Sequence, residues 1–306
     1  MIASAAHILL LVLFPPLLLG VISKTKAWFA GRVGPPLLQS YFDVWKLLRK
    51  GAVYSRTTTW VFRAGPIVSL AAVLSAGLVL PLASGSAPLS FGGDVIAFAY
   101  LLGLGRFFTM AAAMDTGSSF EGMGASREAA FSALAEPALL LALAIVCVPA
   151  STVSFQDAFS ALPWTSWGAG HPEILITVVV IFVVLLAENS RLPVDDPATH
   201  LELTMIHEVM VLDHSGPDLG FILYGSAVKL FLFSALLVHL VIPVPASGGL
   251  LGILALCGGG IAIAIVVGIV ESVMARLRLV RVPQLLVGAS VLSAIGLLVL
   301  LVRRGQ

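Results

Sequence analysis

Charged side chains are scarce in this sequence. Of its 306 residues, only 11% are charged and 59% are hydrophobic, whereas a soluble domain keeps about a quarter of its residues charged. This scarcity excludes a water-facing surface over most of the chain. The apolar residues fall in long runs separated by short polar segments, a pattern typical of helices whose solvent is the lipid bilayer. The sequence therefore predicts an all-α integral membrane protein.

Cysteine is almost absent as well. The only two cysteines, Cys147 and Cys257, each lie inside an apolar run. Neither belongs to a CxxC pair, which disfavours an iron–sulfur cluster or a zinc site held by this chain. We therefore expect no metal and no cofactor bound by the chain itself. We also expect its partners to be lipid and protein rather than nucleic acid.

Eight apolar stretches approach the roughly 20 residues that a helix needs to cross the hydrocarbon core. They are residues 1–23, 64–83, 91–114, 128–150, 173–189, 219–242, 249–270 and 283–302. We expect the first to be a retained span rather than a signal peptide, because no basic residue precedes it and Lys24 and Lys26 follow it. The prediction is about eight transmembrane helices in a single polytopic membrane domain, residues 1–306.

The distribution of basic residues predicts the orientation of these helices. With the N- and C-termini outside, the cytoplasmic loops are residues 24–63, 115–127, 190–218 and 271–282, and they hold 13 of the 17 lysines and arginines. The external loops between spans hold none, while Arg303 and Arg304 follow the last span. This asymmetry follows the positive-inside rule. It predicts a multi-pass protein of the cytoplasmic membrane without a soluble domain.

The first cytoplasmic loop contains a predicted amphipathic helix. Pro35 and Pro36 favour a helix that begins just after them, and from Leu37 to Leu48 the apolar residues recur at helical spacing. Two interpretations remain open. The helix lies on the membrane surface with its basic side chains reaching to water, or it is a docking surface for a soluble partner.

Two ionisable residues lie deep inside predicted spans. Glu136 is well inside the fourth span and Lys229 is in the middle of the sixth. Such residues are costly in lipid and face a cavity or a partner of opposite charge. For Glu136 an ion pair with Arg106 or Lys229 is one interpretation, and a place in a proton relay is the one we favour.

The third cytoplasmic loop is strongly acidic. Between Glu188 and Asp218 it holds seven acids and three histidines against a single arginine, Arg191. Carboxylates crowded near a low-dielectric boundary can exchange protons near neutral pH, and histidine titrates in that range. A proton relay is therefore predicted here, with a merely solvated acidic surface as the alternative.

Two further predictions concern the same loop. Asp196 followed by Pro197 resembles a helix start, and a helix from there would align His200, Thr204, His207 and Val211 on one stripe. His207-Glu208 begins like the zinc motif HExxH, but Val211 stands where the second histidine is required. A metal site is therefore disfavoured.

Several long segments resemble one family of membrane subunits. The segments GRVGPPLLQSYFDVWKLLRKG and AENSRLPVDD resemble signatures of the subunit that joins the hydrophilic and membrane arms, found in respiratory complex I (its subunit 1) and in energy-converting group 4 [NiFe] hydrogenases. The segments MDTGSSFEGMGASREA, DDPATHLELTMIHE and ESVMARLRLVRVP are similar to the formate hydrogenlyase and hydrogenase-4 type. The resemblance covers nearly the whole chain.

The resemblance implies a non-catalytic subunit of an oxidoreductase complex. A [NiFe]-hydrogenase-like large subunit and an iron–sulfur small subunit would carry the [NiFe] centre and the clusters, and antiporter-like subunits would adjoin in the membrane. It also implies an acidic proton passage, to which we assign Glu136, Glu188, Asp195, Asp196, Glu202, His207, Glu208 and Lys229. The implied docking surface for the hydrophilic subunits comprises Arg32, Asp43, Lys46, Arg49 and Arg191.

The leading hypothesis is a membrane anchor and coupling subunit that links redox chemistry in the docked subunits to proton or sodium translocation. A quinone-reactive complex I subunit is the first alternative. Lys229 argues against a quinone site, since the quinone-reducing members of the family tend to carry an acidic residue in that region. A stand-alone ion or solute carrier is the second alternative, against which the docking-like first loop argues.

Overall fold

The computed structural model of the chain describes residues 2–82, 87–162, 171–195, 205–242 and 249–305. This part of the chain is helical and contains no β-strand. Its α-helices are α1 Ile2–Leu13, α2 Pro15–Phe29, α3 Gln39–Leu48, α4 Trp60–Val79, α5 Asp94–Asp115, α6 Ser119–Cys147, α7 Phe155–Ser160, α8 Pro172–Glu188, α9 Gly216–Val241, α10 Gly249–Val273 and α11 Val282–Arg304. Short 3-10 helices cover Glu208–Val211 and Leu279–Arg281.

Six helices of the described part are long and apolar enough to cross a membrane: α4, α5, α6, α9, α10 and α11 with its preceding 3-10 turn. The pair α1 and α2 makes a seventh candidate, bent by 42°. The bend falls at Pro15 and Pro16, because a proline lacks the amide hydrogen that would continue the helix. The structure thus shows a multi-pass membrane protein.

Helix α8 corresponds to the predicted fifth span. It has 17 residues, a length of about 26 Å, which is the lower limit for a helix that crosses the hydrocarbon core. With six or seven candidate spans in the described residues, the prediction of about eight is only partly matched. The eighth span remains a prediction, as does the location of the termini.

Helix α9 is the centre of the bundle. It packs against α2, α3, α4, α8 and α10, and 67% of its most apolar stretch is buried, against 39% or less in the other candidate spans. Around it, α4 pairs with α5, and α6 pairs with α8 and α11. Small residues permit the close crossings. At Gly65 of α4, an added Cβ would lie 2.6 Å from the Cβ of Ala112 in α5.

The helix ends form two groups. At one end, which we call the loop end, contacts join all four predicted cytoplasmic loops to one another. Lys26 pairs with Glu271, Thr59 donates to Asp115, Val53 donates to Ser215, and Arg191 pairs with Glu271. At the other end, which we call the opposite end, Asp94 accepts hydrogen bonds from Ser154 and Phe155, and Arg303 pairs with Glu173.

Two local predictions are corrected by the structure. Helix α6 begins at Ser119, so most of the predicted loop 115–127 is helical. The helix predicted from Pro197 to Val211 is not continuous: residues 196–204 lie outside the described part, Met205–His207 are not helical, and only the 3-10 helix Glu208–Val211 follows. The amides of Ile206 and His207 donate to Asp195 Oδ2 at 3.0 and 3.3 Å. They are thereby diverted from helical hydrogen bonds.

Candidate functional site

Arg106 of α5 lies at the centre of a cluster of charged side chains. Its guanidinium lies 2.7 Å from Glu136 Oε1 through Nη1, 2.7 Å from Glu188 Oε1 through Nη2, and 3.6 Å from Glu128 Oε1 through Nε. The Arg106 side chain is only 7% exposed. One buried cation therefore serves three carboxylates that come from two other helices, α6 and α8.

A lysine and a histidine complete this group. Lys229 Nζ of α9 lies 3.5 Å from Glu188 Oε2, so the predicted acid partner for this mid-span lysine is present. His207 Nε2 lies 3.3 Å from Glu128 Oε2. We call the set the Arg106 cluster: Arg106, Glu128, Glu136, Glu188, His207 and Lys229.

The charges of the Arg106 cluster do not cancel. Three carboxylates face two permanent cations, which leaves a net charge of −1 while His207 is neutral and zero once it is protonated. Buried charges of low net sum are tolerated in a low-dielectric interior where an isolated charge is not.

A small cavity of about 10 Å³ lies between Glu128, Glu188 and His207. Its other walls are mostly apolar and include Ala135 and Leu286. This is about the volume in which one water molecule can be held. The three titratable residues thus line a space with room for a single water molecule.

Gly124 and Asp195 explain how His207 reaches the cluster. At Gly124 of α6, an added Cβ would lie 2.4 Å from Val209 Cγ1, so only glycine lets the 3-10 helix Glu208–Val211 pack this closely. Asp195 is 2% exposed and holds the amides of Ile206 and His207. The local backbone is therefore positioned by buried contacts on both sides of His207.

Glu136 differs from the other glutamates of the cluster in its exposure. Its side chain is 51% exposed, compared with 6% for Glu128 and 4% for Glu188. Exposed apolar residues of α5 and α6, including Phe107 and Leu140, lie on the same helices. Even so, Glu136 keeps its ion pair with Arg106 Nη1 at 2.7 Å.

The remaining residues assigned to the relay lie in the third loop. Asp195 Oδ1 accepts a hydrogen bond of 2.9 Å from Arg276 Nη2, so it is paired outside the Arg106 cluster. Glu208 is half-buried and begins the 3-10 helix directly after His207. Asp196 and Glu202 lie outside the described residues. The relay roles of all these residues stay predictions.

Four of the five residues assigned to docking are exposed at the loop end: Arg32, Asp43, Lys46 and Arg49. The amphipathic helix predicted there is α3, and it leaves large apolar side chains exposed, among them Phe42 and Trp45. This surface fits both predicted interpretations. Arg191 differs, because its side chain is 15% exposed and pairs with Glu271 at 3.3 Å.

Two acids of the structural network were not singled out from the sequence. Glu128 was taken as the start of a span, although it lies two helical turns before Glu136 on the same helix, a spacing that could have suggested a shared face. Glu271 is the first residue of the predicted cytoplasmic loop 271–282. Its buried carboxylate in fact joins the first and third loops through Lys26 at 2.8 Å and Arg191 at 3.3 Å.

His214 is packed between the first and third loops. Its ring stacks on that of Phe62 with centroids 4.0 Å apart, and burial lowers the pKa of His214 although Asp218 and Asp213 oppose the shift. Burial likewise raises the pKa of Tyr54, helped by a hydrogen bond to Asp218. The stacking of His214 on Phe62 and the interaction of Tyr54 with Asp218 join the first and third loops.

The described residues were also compared with the ligand sets that metal ions need. No group of three or more His, Cys, Asp or Glu residues there is arranged to hold a metal ion. Cys147 and Cys257 are both free thiols. The side chains of the Arg106 cluster themselves can bind protons and form alternative ion pairs.

Comparison with known proteins matches residues 2–302 to the family model described as NADH dehydrogenase. The chain belongs to this family. The membership confirms the resemblance drawn from the sequence motifs.

Two relatives in this family come from Escherichia coli (strain K12). Formate hydrogenlyase subunit 4 is 32% identical over 283 residues, which cover 90% of this chain and 91% of that protein. Hydrogenase-4 component C is 30% identical over 240 residues, which cover 78% and 75%. This family member is therefore similar to hydrogenase subunits over most of its length.

The fold recurs in a solved assembly, the membrane-bound sulfane sulfur reductase, an archaeal respiratory membrane complex. One chain of it superposes with a TM-score of 0.83 over 98% of both chains, at 22% identity. At that identity the likeness shows the fold alone.

Proposed function

We propose that this chain is the membrane subunit that couples redox chemistry in docked hydrophilic subunits to proton or sodium translocation in an energy-converting, hydrogenase-type complex. Its similarity to formate hydrogenlyase subunit 4 and hydrogenase-4 component C supports this assignment. The observation that carries the mechanism is the Arg106 cluster, in which one buried guanidinium is shared by three carboxylates.

Sharing makes the cluster responsive to added charge. When one carboxylate takes a proton, Arg106 is released toward the other two, so the ion pairs rearrange without leaving a buried charge alone. Electrons that arrive in a docked subunit add negative charge at the loop end and thereby favour proton uptake. One pKa unit corresponds to about 1.4 kcal/mol, so small shifts summed over several groups are enough to drive the step.

The arrangement suggests a direction for the proton. His207 lies on the loop side and contacts Glu128, while Glu136 is half-exposed on the flank of α6. The contacts described above join His207 to Glu128, and join Glu128, Glu188 and Glu136 through the Arg106 guanidinium that they share. The proton would move between these carboxylates, with the small cavity between Glu128 and Glu188, while Arg106 keeps its charge. Beyond Glu188, toward the opposite end, α8 is apolar from Val178 to Ala187. Proton exit is therefore proposed to be lateral, into a neighbouring membrane subunit.

This proposal places the partners on two surfaces. The hydrophilic subunits, which resemble a [NiFe] large subunit and an iron–sulfur small subunit and carry those centres, would dock on α3 and the exposed residues around it, with Arg191 supporting this surface through Glu271. Antiporter-like subunits would cover Glu136. The four loops would then be cytoplasmic and both termini outside. Helix α8, the predicted fifth span, would bring the number of spans in the cytoplasmic membrane to eight.

The test is Glu136→Gln in the assembled complex, because glutamine keeps a hydrogen-bond acceptor for Arg106 but cannot ionise. Redox turnover and ion uptake into vesicles are measured on the same preparation. We expect ions moved per electron to fall while the complex stays assembled, and Glu202→Gln to act in the same direction. Asp157→Asn, an exposed acid of α7 at the opposite end, is the control. An unchanged ratio in Glu136→Gln would exclude Glu136 from the pathway.

A quinone-reactive complex I subunit is the second candidate function. The NADH dehydrogenase family model matches nearly the whole chain, which supports this candidate. Here the same loops would cover a quinone chamber at the loop end. Quinone retained by the purified complex, or turnover that depends on added quinone, would decide for this candidate over the hydrogenase-type one.

A further inference from the structure

A cavity of about 350 Å³ opens at the opposite end of the bundle. It lies where α6, α9 and α11 end and α8 begins, far from the Arg106 cluster. Most of its wall is apolar, formed by Ile145, Val146, Leu162, Ile174, Leu240 and Leu300. The volume is at the lower end of the range for small-molecule sites, which are likewise apolar with a few polar groups.

The polar rim of this cavity carries a balanced ion pair. Glu173 is 3% exposed and its Oε2 lies 3.2 Å from Arg303 Nη1. His171 Nδ1 lies 2.7 Å from Glu173 Oε1. Glu173 is thus paired with Arg303 and also contacts His171.

Arg304 supplies a second positive charge on the same rim. Its guanidinium donates to Val148 O at 2.5 Å, Ser151 Oγ at 2.8 Å and Pro149 O at 3.5 Å, all of them neutral oxygens. Among the residues that the structure describes, no carboxylate pairs with Arg304. The described residues of the cavity rim thus include two guanidinium groups, of Arg303 and Arg304, and one carboxylate, of Glu173.

These two arginines are exceptions to the charge pattern of the chain. In the predicted topology they are the only lysine or arginine residues that face the outside, a side that the positive-inside rule leaves poor in them. Both converge on one cavity. The pairing of a cationic rim with an apolar chamber at the end of membrane helices fits an amphiphile with an anionic head.

We propose that this cavity binds one anionic phospholipid, with its phosphate on Arg304 and an acyl chain against the apolar wall. A free phosphate would satisfy the charge but would leave the apolar wall unfilled. The proposal does not depend on the function assigned to the Arg106 cluster.

The experiment is native mass spectrometry of the full-length chain, purified with its partner subunits and reconstituted in nanodiscs of phosphatidylglycerol and phosphatidylcholine. The wild type is expected to retain one phosphatidylglycerol on this chain. Arg304→Gln is expected to lower its occupancy about fivefold, the effect of one cation beside an anionic headgroup. Arg278→Gln, an exposed arginine at the loop end, is the matched control and is expected to leave occupancy unchanged.

A second variant tests the apolar chamber separately. Ala161 lies on the exposed rim of the cavity, so Ala161→Trp fills the entrance while keeping both arginines. Ala161→Trp is expected to abolish retention of phosphatidylglycerol. If Arg304→Gln does not fold, the result for Ala161→Trp tests the lipid site on its own. Excess inorganic phosphate is expected to leave the bound lipid in place. Equal retention in wild type, Arg304→Gln and Ala161→Trp, or displacement of the lipid by phosphate, would overturn the proposal.

Discussion

Glu188 of α8 is held by Arg106 and Lys229 at the same time. Its Oε1 lies 2.7 Å from Arg106 Nη2 and its Oε2 lies 3.5 Å from Lys229 Nζ. The carboxylate therefore bridges two cations that belong to α5 and α9. Because α5 and α9 are far apart in sequence, the ion pairs of this one side chain connect three separate helices of the bundle, α5, α8 and α9.

Removal of Arg106 is expected to destabilise the protein strongly. Arg106→Gln leaves the buried Glu128 and Glu188 short of a cation, and breaking a buried ion pair from one side costs about 3–5 kcal/mol. Denaturation in detergent, followed by intrinsic fluorescence, measures the loss. The double variant with Glu188→Gln should recover part of it, because the uncompensated charge is removed as well. Equal stability of Arg106→Gln and wild type would show that the pairs contribute nothing.

Asp195 is expected to anchor the backbone that positions His207. Asp195→Ala removes the acceptor for the amides of Ile206 and His207, and an unsatisfied buried amide costs about 1–3 kcal/mol. Hydrogen exchange at these two amides should accelerate, while exchange in α9 stays as in wild type. Asp195→Asn keeps an acceptor oxygen and should show a smaller change. Wild-type protection in Asp195→Ala would mean that other contacts hold the segment.

Gly216 is expected to be required where the first and third loops meet. Its φ is +56°, and an added Cβ would lie 2.6 Å from Gly51 O, so Gly216→Ala combines backbone strain with a clash. A loss of more than about 1 kcal/mol is expected, with faster proteolysis of the two loops. Gly288→Ala in α11 meets open space and should be neutral or slightly stabilising. Similar behaviour of the two variants would contradict this account.

The packing of His214 should make the loop end sensitive to acid. Because burial lowers the pKa of His214, the unfolded loop binds a proton more readily than the folded one, and stability therefore rises with pH. Above a pH of about 6.5, the ordinary pKa of histidine, the folded loop has its full stability. It loses stability as the pH falls below that value, because the unfolded loop then binds a proton at His214 more readily. Loop protection measured by hydrogen exchange between acid and neutral pH tests this.

His214→Gln provides the comparison for the acid sensitivity, because glutamine does not titrate in this range. The variant should lose less loop protection on acidification than the wild type, by up to about 1.4 kcal/mol for each unit of pKa shift. If both proteins respond to acid equally, another group is responsible.

Much of the fold could be read from local properties of the sequence. Apolar run length predicts candidate spans, because a helix that crosses lipid must bury its backbone over a set thickness. Periodicity predicted α3 within two residues of its start, and the polar motifs identified the family. Each of these signals lies within a few tens of residues along the chain.

Other features were decided only by the tertiary structure. Helix α6 begins at Ser119, inside the polar segment before the apolar run, so its start does not follow from hydropathy. The helix predicted after Pro197 fails at Ile206 and His207 because Asp195 captures their amides, a contact that periodicity cannot reveal.

The Arg106 cluster was likewise predictable only in part from the sequence. Its ionisable residues could be noticed one by one, since charge inside an apolar run is unusual. Their meeting depends on the rotation and approach of α5, α6, α8 and α9, and on the close packing of the 3-10 helix Glu208–Val211 against α6 at Gly124. The sequence by itself determined that charges lie in the membrane. Packing decided that three carboxylates share one guanidinium and that Glu136 faces outward, because helix rotation is set by contacts between residues far apart in the chain.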